Sequence, residues 1–313
     1  MDLLLNDLSL HRQFSDIKSF REAIRQVMSM RKLINGFGRE LYSHRNLLNA
    51  LVNSSASLHE SLLKLPRDEK RAILAWLTRH GPFWEDLAHH ESDIFMDHGD
   101  EIVTDTAVGE AAYCNSIDID RRVVSFVPSD WQFSPIAVRI ESGTVTRVSV
   151  INYWDVNKLE DAMRAAEPPV KSWEQLEHVC RRTFRRLSFS GECFGFLSGQ
   201  PFAPGAAEHI LVRLRILNKL VGSVDASGRR NAEGNRIYQE HFTGRNAWFS
   251  DSSDTEKNEF KKELTFRGPQ GVPTLCAGHG KVNHPPFRIH FPWPVSPGIR
   301  LFIAYIGLKI TRR

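Results

Sequence analysis

Cysteine is scarce in this chain. Cys114, Cys180, Cys193 and Cys276 are spread over 313 residues with no CxxC pair among them. That spacing offers neither a zinc ribbon nor a disulfide framework, and it fits a reducing cytoplasm. Long apolar runs are missing too. Nothing approaches the ~18 uninterrupted residues of a membrane span, and the opening MDLLLNDLSL lacks the basic start and extended apolar core of a signal peptide. The absence of GxGxxG, a Walker loop and a GxSxG elbow argues against a dinucleotide enzyme, a P-loop ATPase and an α/β-hydrolase. The expectation is a cytoplasmic protein with no membrane contact, cofactor or metal.

The composition present is that of an ordinary globular protein, 41% hydrophobic and 25% charged, enough to bury a real core in one large domain or two. The net charge of +4 is unevenly distributed. Residues 205–313 hold 17 Lys and Arg against 9 Asp and Glu, whereas residues 1–204 hold 24 against 28. Halves of opposite sign suit a basic region that meets nucleic acid, or one that docks on the chain's own acidic half.

Local patterns predict an α+β fold. Residues 2–10 alternate weakly, as a short strand or an extended arm. Ile17, Phe20, Ile24, Val27 and Met28 recur at helical spacing. A second helical stretch covers about 39–52, and a third begins at Pro66 and stops at His80-Gly81-Pro82. Residues 1–82 therefore read as mainly helical. Residues 89–101 gather three histidines and several carboxylates without a metal-ligand spacing, and read as a polar loop. Glu101, Asp105 and Glu110 are the residue types of a nuclease's cation-binding carboxylates. Capping of a helix over about 106–113 is the simpler use of Asp105.

Strands are expected at 101–104, 122–127, 136–141 and 145–151, the last two as a hairpin turning at Gly143. Pro168-Pro169 marks a boundary. It separates an N-terminal region 1–167, helical over 1–82 and strand-rich over 101–154, from a basic C-terminal region 171–313. In the latter a capping box opens at Ser172 with Gln175, and Arg181, Arg182, Arg185 and Arg186 lie off the apolar stripe of the helix that follows. Further helices are expected at 206–221, near 236–242, and from Ser253 to about Leu264.

Residues 274–313 carry three apolar-alternating runs, TLCAGHGKV, FRIHFPW and RLFIAYIGLKITRR, separated by Pro, Gly and Asn. They predict an antiparallel meander. Alternation puts Phe287, Ile289 and Phe291 on one face and Arg288 and His290 on the other. With helices before it, this order resembles the RelE/ParE-type bacterial toxin fold over about a third of the chain, through GHGKV, FRIHFPW and a final apolar run ending in basic residues. The RelE branch cleaves messenger RNA on the ribosome with basic and tyrosine side chains on the sheet; the ParE branch inhibits gyrase. This chain is several times longer than a free-standing toxin, and its excursion over 225–253 departs from the pattern.

Cleaving RNA without a metal requires a base for the 2′-hydroxyl, cations for the charged phosphorane and an acid for the leaving oxygen. His290 and Tyr305 can exchange protons, with Arg288 as the third catalytic residue. Lys281, Lys309, Arg312 and Arg245 are the expected nucleic-acid contacts. Arg288, His290 and Lys281 are expected to converge on an exposed sheet face.

Three functional classes follow: a metal-independent endoribonuclease of toxin or phage-defence type, a non-catalytic subunit that binds nucleic acid, RNA before DNA, and a protein-interaction subunit of a multi-component bacterial defence system. Cutting of RNA in EDTA marks the first. Salt-sensitive binding without cutting marks the second. Salt-insensitive association with a protein marks the third.

Overall fold

Three consecutive leucines near the start of the chain form a strand covered on both faces. The computed structural model describes residues 1–90, 93–142, 144–244, 247–282 and 285–311. It divides into two units, Met1–Pro169 and Val170–Arg313. The architecture is mixed α+β.

In the N-terminal unit β1 (Asp2–Leu5) sends Leu3 and Leu5 into one core and Leu4 into another. A continuous apolar run is what a doubly covered parallel strand requires. α1 (Ile17–Gly36) starts at Asp16, whose Oδ1 accepts from the amides of Lys18 and Ser19. Its stripe of Phe20, Ile24, Val27 and Ile34 packs on the Leu3 side. β2 (Leu41–Tyr42) then pairs with β1, followed by α2 (Leu58–Leu63) and α3 (Arg67–Leu74). β3 (Phe95–His98), β4 (Glu101–Ile102), α4 (Ala107–Ser116), β5 (Arg121–Val124), β6 (Ile136–Ser142), β7 (Thr144–Val150), β8 (Asn152–Tyr153) and α5 (Val156–Ala165) complete the unit.

One sheet is parallel throughout, in the order β2-β1-β5-β8; the other is antiparallel, in the order β4-β3-β6-β7. α4 shares a core with Leu4 and Val123 of the first and with Ile136, Val138 and Ile140 of the second. Covered on two sides, it is built of small residues. At Gly109 a Cβ would lie 2.0 Å from the Val103 carbonyl oxygen, so only glycine fits. The strand order reverses between β1 and β5, and crevices form at the carboxyl ends of parallel strands at such a point.

Residues 39–52 differ from the expected helix. Leu41 pairs with Leu3 in the sheet, and only Leu47–Asn49 make a helical turn. Leu47 and Val52 are taken into the core around α1, so tertiary pairing overrides the local spacing. The first 82 residues thus hold two strands of the parallel sheet as well as three helices. Likewise β5 belongs to that sheet and not to the hairpin region. Gly143, the expected turn residue between β6 and β7, lies outside the described residues.

The C-terminal unit begins with α6 (Trp173–Thr183). Ser172 Oγ accepts the Gln175 amide, but the Gln175 side chain accepts from Lys171, one residue outside the expected box. Then come β9 (Leu187–Phe189), α7 (Pro204–Gly222), α8 (Ala232–Phe242), β10 (Phe249–Asp251), α9 (Asp254–Glu259), β11 (Thr265–Arg267), β12 (Pro273–Leu275), β13 (Gly278–Lys281), β14 (Phe287–Phe291), β15 (Leu301–Ile303) and β16 (Tyr305–Leu308). β10-β13-β14-β16 form an antiparallel sheet, β11 and β12 a separate hairpin, and β15 pairs in parallel with β9. Phe249, Phe287, Ile289, Phe291 and Ile306 share a core with Ile210, Leu214 and Leu217 of α7. The run LFIAYIGL breaks at Ala304, whose amide donates to the His290 carbonyl.

Candidate functional site

Alternate glycines determine how β13 presents its polar residues. A Cβ at Gly278 would lie 2.8 Å from the Phe291 ring, and one at Gly280 would lie 3.0 Å from the Phe249 ring. Aromatic neighbours thus fill the core face of β13, and His279 and Lys281 leave from the opposite face. Register then sets two rows across the sheet. Ser250, His279, His290 and Tyr305 are successive cross-strand partners, and Lys281 lies opposite Arg288, which faces Gly307. Arg288, His290 and Lys281 share one face.

Access differs along that face. His290 is 2% exposed and Tyr305 6%. Phe266 of β11 packs against both rings at 6.3 and 6.0 Å, and Phe196 covers Tyr305 at 4.5 Å. The expected open face is therefore closed at these two positions. The Tyr305 hydroxyl donates to the Leu308 carbonyl, and His290 Nδ1 lies 3.1 Å from the Cys276 carbonyl. His279, Lys281 and Arg288 are partly buried, and Lys309 is exposed beyond β16. Lys309 borders an open cleft of about 540 Å³ with Ser253, Glu256 and Thr311. Arg245 and Arg312 lie outside the described residues.

Burial dominates the ionisation of these rows. Burial pushes the His290 imidazole down to about 4, and His279 and Arg288 act in the same direction. His279 is also lowered, first by burial and then by Arg288 and Lys281, against its bond to Ala277 and the charge of Glu256. Both rings are neutral at pH 7. Burial lowers Arg288 as well, with Glu256 opposing. Arg288 Nη1 donates to the Phe287 carbonyl and Lys281 Nζ to the Ala247 carbonyl, and among the described residues neither makes an ion pair with a carboxylate. Two adjacent, partly desolvated cations favour a bound anion.

His279 escapes the alternation-based selection that found Lys281, although the same GHGK pattern carries it. Its Nε2 is 3.0 Å from Ser250 Oγ, and its Nδ1 is 3.4 Å from the Ala277 carbonyl. With the proton on Nδ1, facing the carbonyl, Nε2 is a base.

A second polar centre lies in the N-terminal unit. Glu110 of α4 is fully buried. Its Oε1 accepts from Arg121 Nη1 at 3.0 Å and from the Cys114 thiol at 3.1 Å, and its Oε2 is 2.6 Å from His90 Nδ1. Burial alone would raise this carboxyl. Bonds from His89 and His90 and the charge of Arg121 outweigh it and hold the group well below the usual carboxylate range. His89, Glu110 and Cys114 offer ligand atoms within 4.8 Å of one another. Arg121 already supplies the positive charge there, so the cluster is a buried ion-pair network.

The three carboxylates considered from sequence do not surround a common point. Asp105 and Glu110 sit on opposite nitrogens of the His90 ring, and Glu101 is exposed on β4. Thr106, and not Asp105, caps α4 through the Gly109 amide.

A different carboxylate, Asp7, stands at the carboxyl end of β1. Its Oδ1 accepts the Ala107 amide at 2.9 Å, and His44 and Glu85 act on its ionisation from nearby. Only the fold brings it near Glu85, and no spacing rule announces the pair. Compared with known proteins, the chain matches no family model, no curated protein and no solved structure.

Proposed function

We propose that the protein binds nucleic acid, RNA in preference to DNA, through the Lys281–Arg288 row of its C-terminal unit. Arg288 carries the reading: a partly buried guanidinium opposite Lys281, with no ion pair to a carboxylate among the described residues. A phosphodiester supplies the missing negative charge, held bidentately by the guanidinium and as a point charge by the lysine. Lys309 extends the basic track. Ser250 and His279, hydrogen-bonded to each other on the neighbouring row, are the groups this reading assigns to a 2′-hydroxyl, the group that distinguishes RNA. Four free, buried cysteines support action in a reducing cytoplasm. No helix among the described residues is long and apolar enough to cross a membrane.

The test is a fluorescence-anisotropy titration of single-stranded RNA and DNA of one sequence, in EDTA, with wild type and Arg288→Gln. Tighter binding of RNA, weakening with salt and with the substitution, is expected. No affinity for either strand refutes the reading. Salt-insensitive association with a protein would point to the interaction subunit of a defence system.

Metal-independent cleavage is a second reading, favoured by His279. In it the His279 Nε2 removes the 2′-hydroxyl proton, the 2′-oxygen attacks phosphorus, and Arg288 with Lys281 stabilises the phosphorane. The 5′-oxygen leaves with a proton from solvent, giving a 2′,3′-cyclic phosphate. His290 and Tyr305, covered by Phe266 on the same face, then support the sheet beside the reacting groups. End-labelled RNA incubated in EDTA decides: cutting by wild type that His279→Gln abolishes while binding persists supports it, and cutting that survives the substitution removes His279 from the role.

A further inference from the structure

We infer that the N-terminal unit docks an acidic, amphipathic helix of a partner protein in the groove formed by α2, α3 and the helical turn that continues α3. The site is independent of the basic row of the C-terminal unit.

The groove holds about 700 Å³. Leu48, Leu63, Leu74 and Ala75 give it apolar surface, Arg67, Lys70, Arg71 and Arg79 give it positive charge, and no carboxylate lines it. Leu48 and Leu74 pack against the core around α1, whereas Leu63 is 51% exposed and offers a partner apolar area still to be buried.

Helical spacing explains how one element carries both properties. α3 runs without a break into a π-helical segment, Ala75–His80, closed by the Gly81 amide on the Trp76 carbonyl at 2.9 Å. Ile73, Trp76 and Leu77 turn into the core, and Glu69 pairs with Arg21 and Arg25 of α1. Arg67, Arg71, Leu74, Thr78 and Arg79 recur at intervals of three and four residues along the groove. This stripe runs against local preference. Arg67 is the first residue of α3, where the helix dipole disfavours a cation, and Arg71 follows it at i+4 as a like charge. Lys70 Nζ donates to the Leu63 carbonyl at 3.4 Å, and among the described residues none of the four cations makes an ion pair with a carboxylate. π-helical turns, moreover, concentrate at functional sites.

Charge and length identify the occupant. From Arg67 to Arg79 the stripe covers ~18 Å of helix, more than one carboxylate or phosphate headgroup spans. A second helix with Asp or Glu at matching intervals meets the cations in turn and lays its own apolar anchors on Leu63 and Leu74. Nucleic acid would match the charge but not the leucines, and no Phe, Tyr or Trp lines the groove for a base to stack on.

The test is selection on the full chain from a displayed library of helical peptides about 16 residues (~24 Å) long, with leucine fixed along one face and Asp, Glu, Lys, Arg, Ser and Ala randomised elsewhere. Enrichment of acidic peptides is expected. An enriched peptide carrying a fluorophore should bind at least ~10-fold more weakly both to Arg67→Glu/Arg71→Glu and to Leu63→Ser in anisotropy titrations. All three positions are exposed, and unchanged near-ultraviolet circular dichroism confirms that the variants fold. No enrichment, enrichment without acidic bias, or binding that either variant leaves unchanged overturns the proposal. Displacement of the peptide by single-stranded RNA also overturns it, and would make the groove a nucleic-acid surface.

Discussion

Replacing both Arg288 and Lys281 by glutamine removes two charges while keeping polar side chains of similar reach. The two residues are direct cross-strand partners, so a strand of nucleic acid that meets one meets the other. On a single strand each phosphate contact contributes ~0.7 to the slope of log K against log salt. The double variant should therefore flatten that slope by ~1.4. Taken from 1 M as the reference, this is ~1.4 decades, or about 25-fold weaker binding near 0.1 M salt, and about 5-fold for Arg288→Gln alone. Anisotropy titrations at several salt concentrations between ~50 and ~300 mM measure it. An unchanged slope would refute the basic row as the contact surface. So would an affinity loss of equal size at every salt concentration, which signals altered structure and not lost phosphate contacts.

Glu110→Gln should destabilise the N-terminal unit by about 3–5 kcal/mol in denaturant unfolding, because Arg121 loses its fully buried counter-charge and keeps only the longer pair to the partly exposed Asp2. Glu110 titrates well below the usual glutamate range in the fold, so its contribution is present above that range and is lost as the medium is acidified through it. The variant should show a flatter acid limb. His290 falls from 6.5 to about 4 on folding, so stability of the C-terminal unit is full above 6.5 and declines between 6.5 and about 4. His290→Leu should reduce the loss between pH 7 and pH 5 by ~2 kcal/mol, and an unchanged urea midpoint difference would contradict this burial effect. His241, lowered to about 3 by burial and then by Arg213, keeps part of the dependence in that variant. Gly280→Ala should cost about 1–3 kcal/mol, since the added methyl meets the Phe249 ring; calorimetry reads it directly.

Where an element is long, its residues reveal it locally. α1 declares itself through Asp16 and the stripe from Phe20 to Ile34, and the alternation of FRIHF assigns Arg288 and Ile289 to opposite faces without a structure. The parallel sheet is different. β2 and β8 are two residues each, too short for any period to register, and Leu41 also fits a helical spacing until Leu3 is set beside it. At the candidate interface, alternation identifies which side chains share a face but says nothing of what covers them. Phe266, which closes the face over His290 and Tyr305, comes from a separate hairpin. Glu85 and Asp7 are remote in sequence, and only β1–β2 pairing together with the Ser43–Phe83 bridge joins their segments.

The break at Ala304 gives one short run of backbone to two sheets: Leu301 to Ile303 to β9, and Tyr305 to Leu308 to β14. Peeling either sheet strips the amides that anchor the other, because Ile306 donates to the Cys193 carbonyl and Ala304 to that of His290. These strands should exchange their amide hydrogens as one cooperative unit, at a rate set by opening of both sheets together. A ligand gripped by Arg288 on β14 would then slow exchange on β9, a strand it never touches.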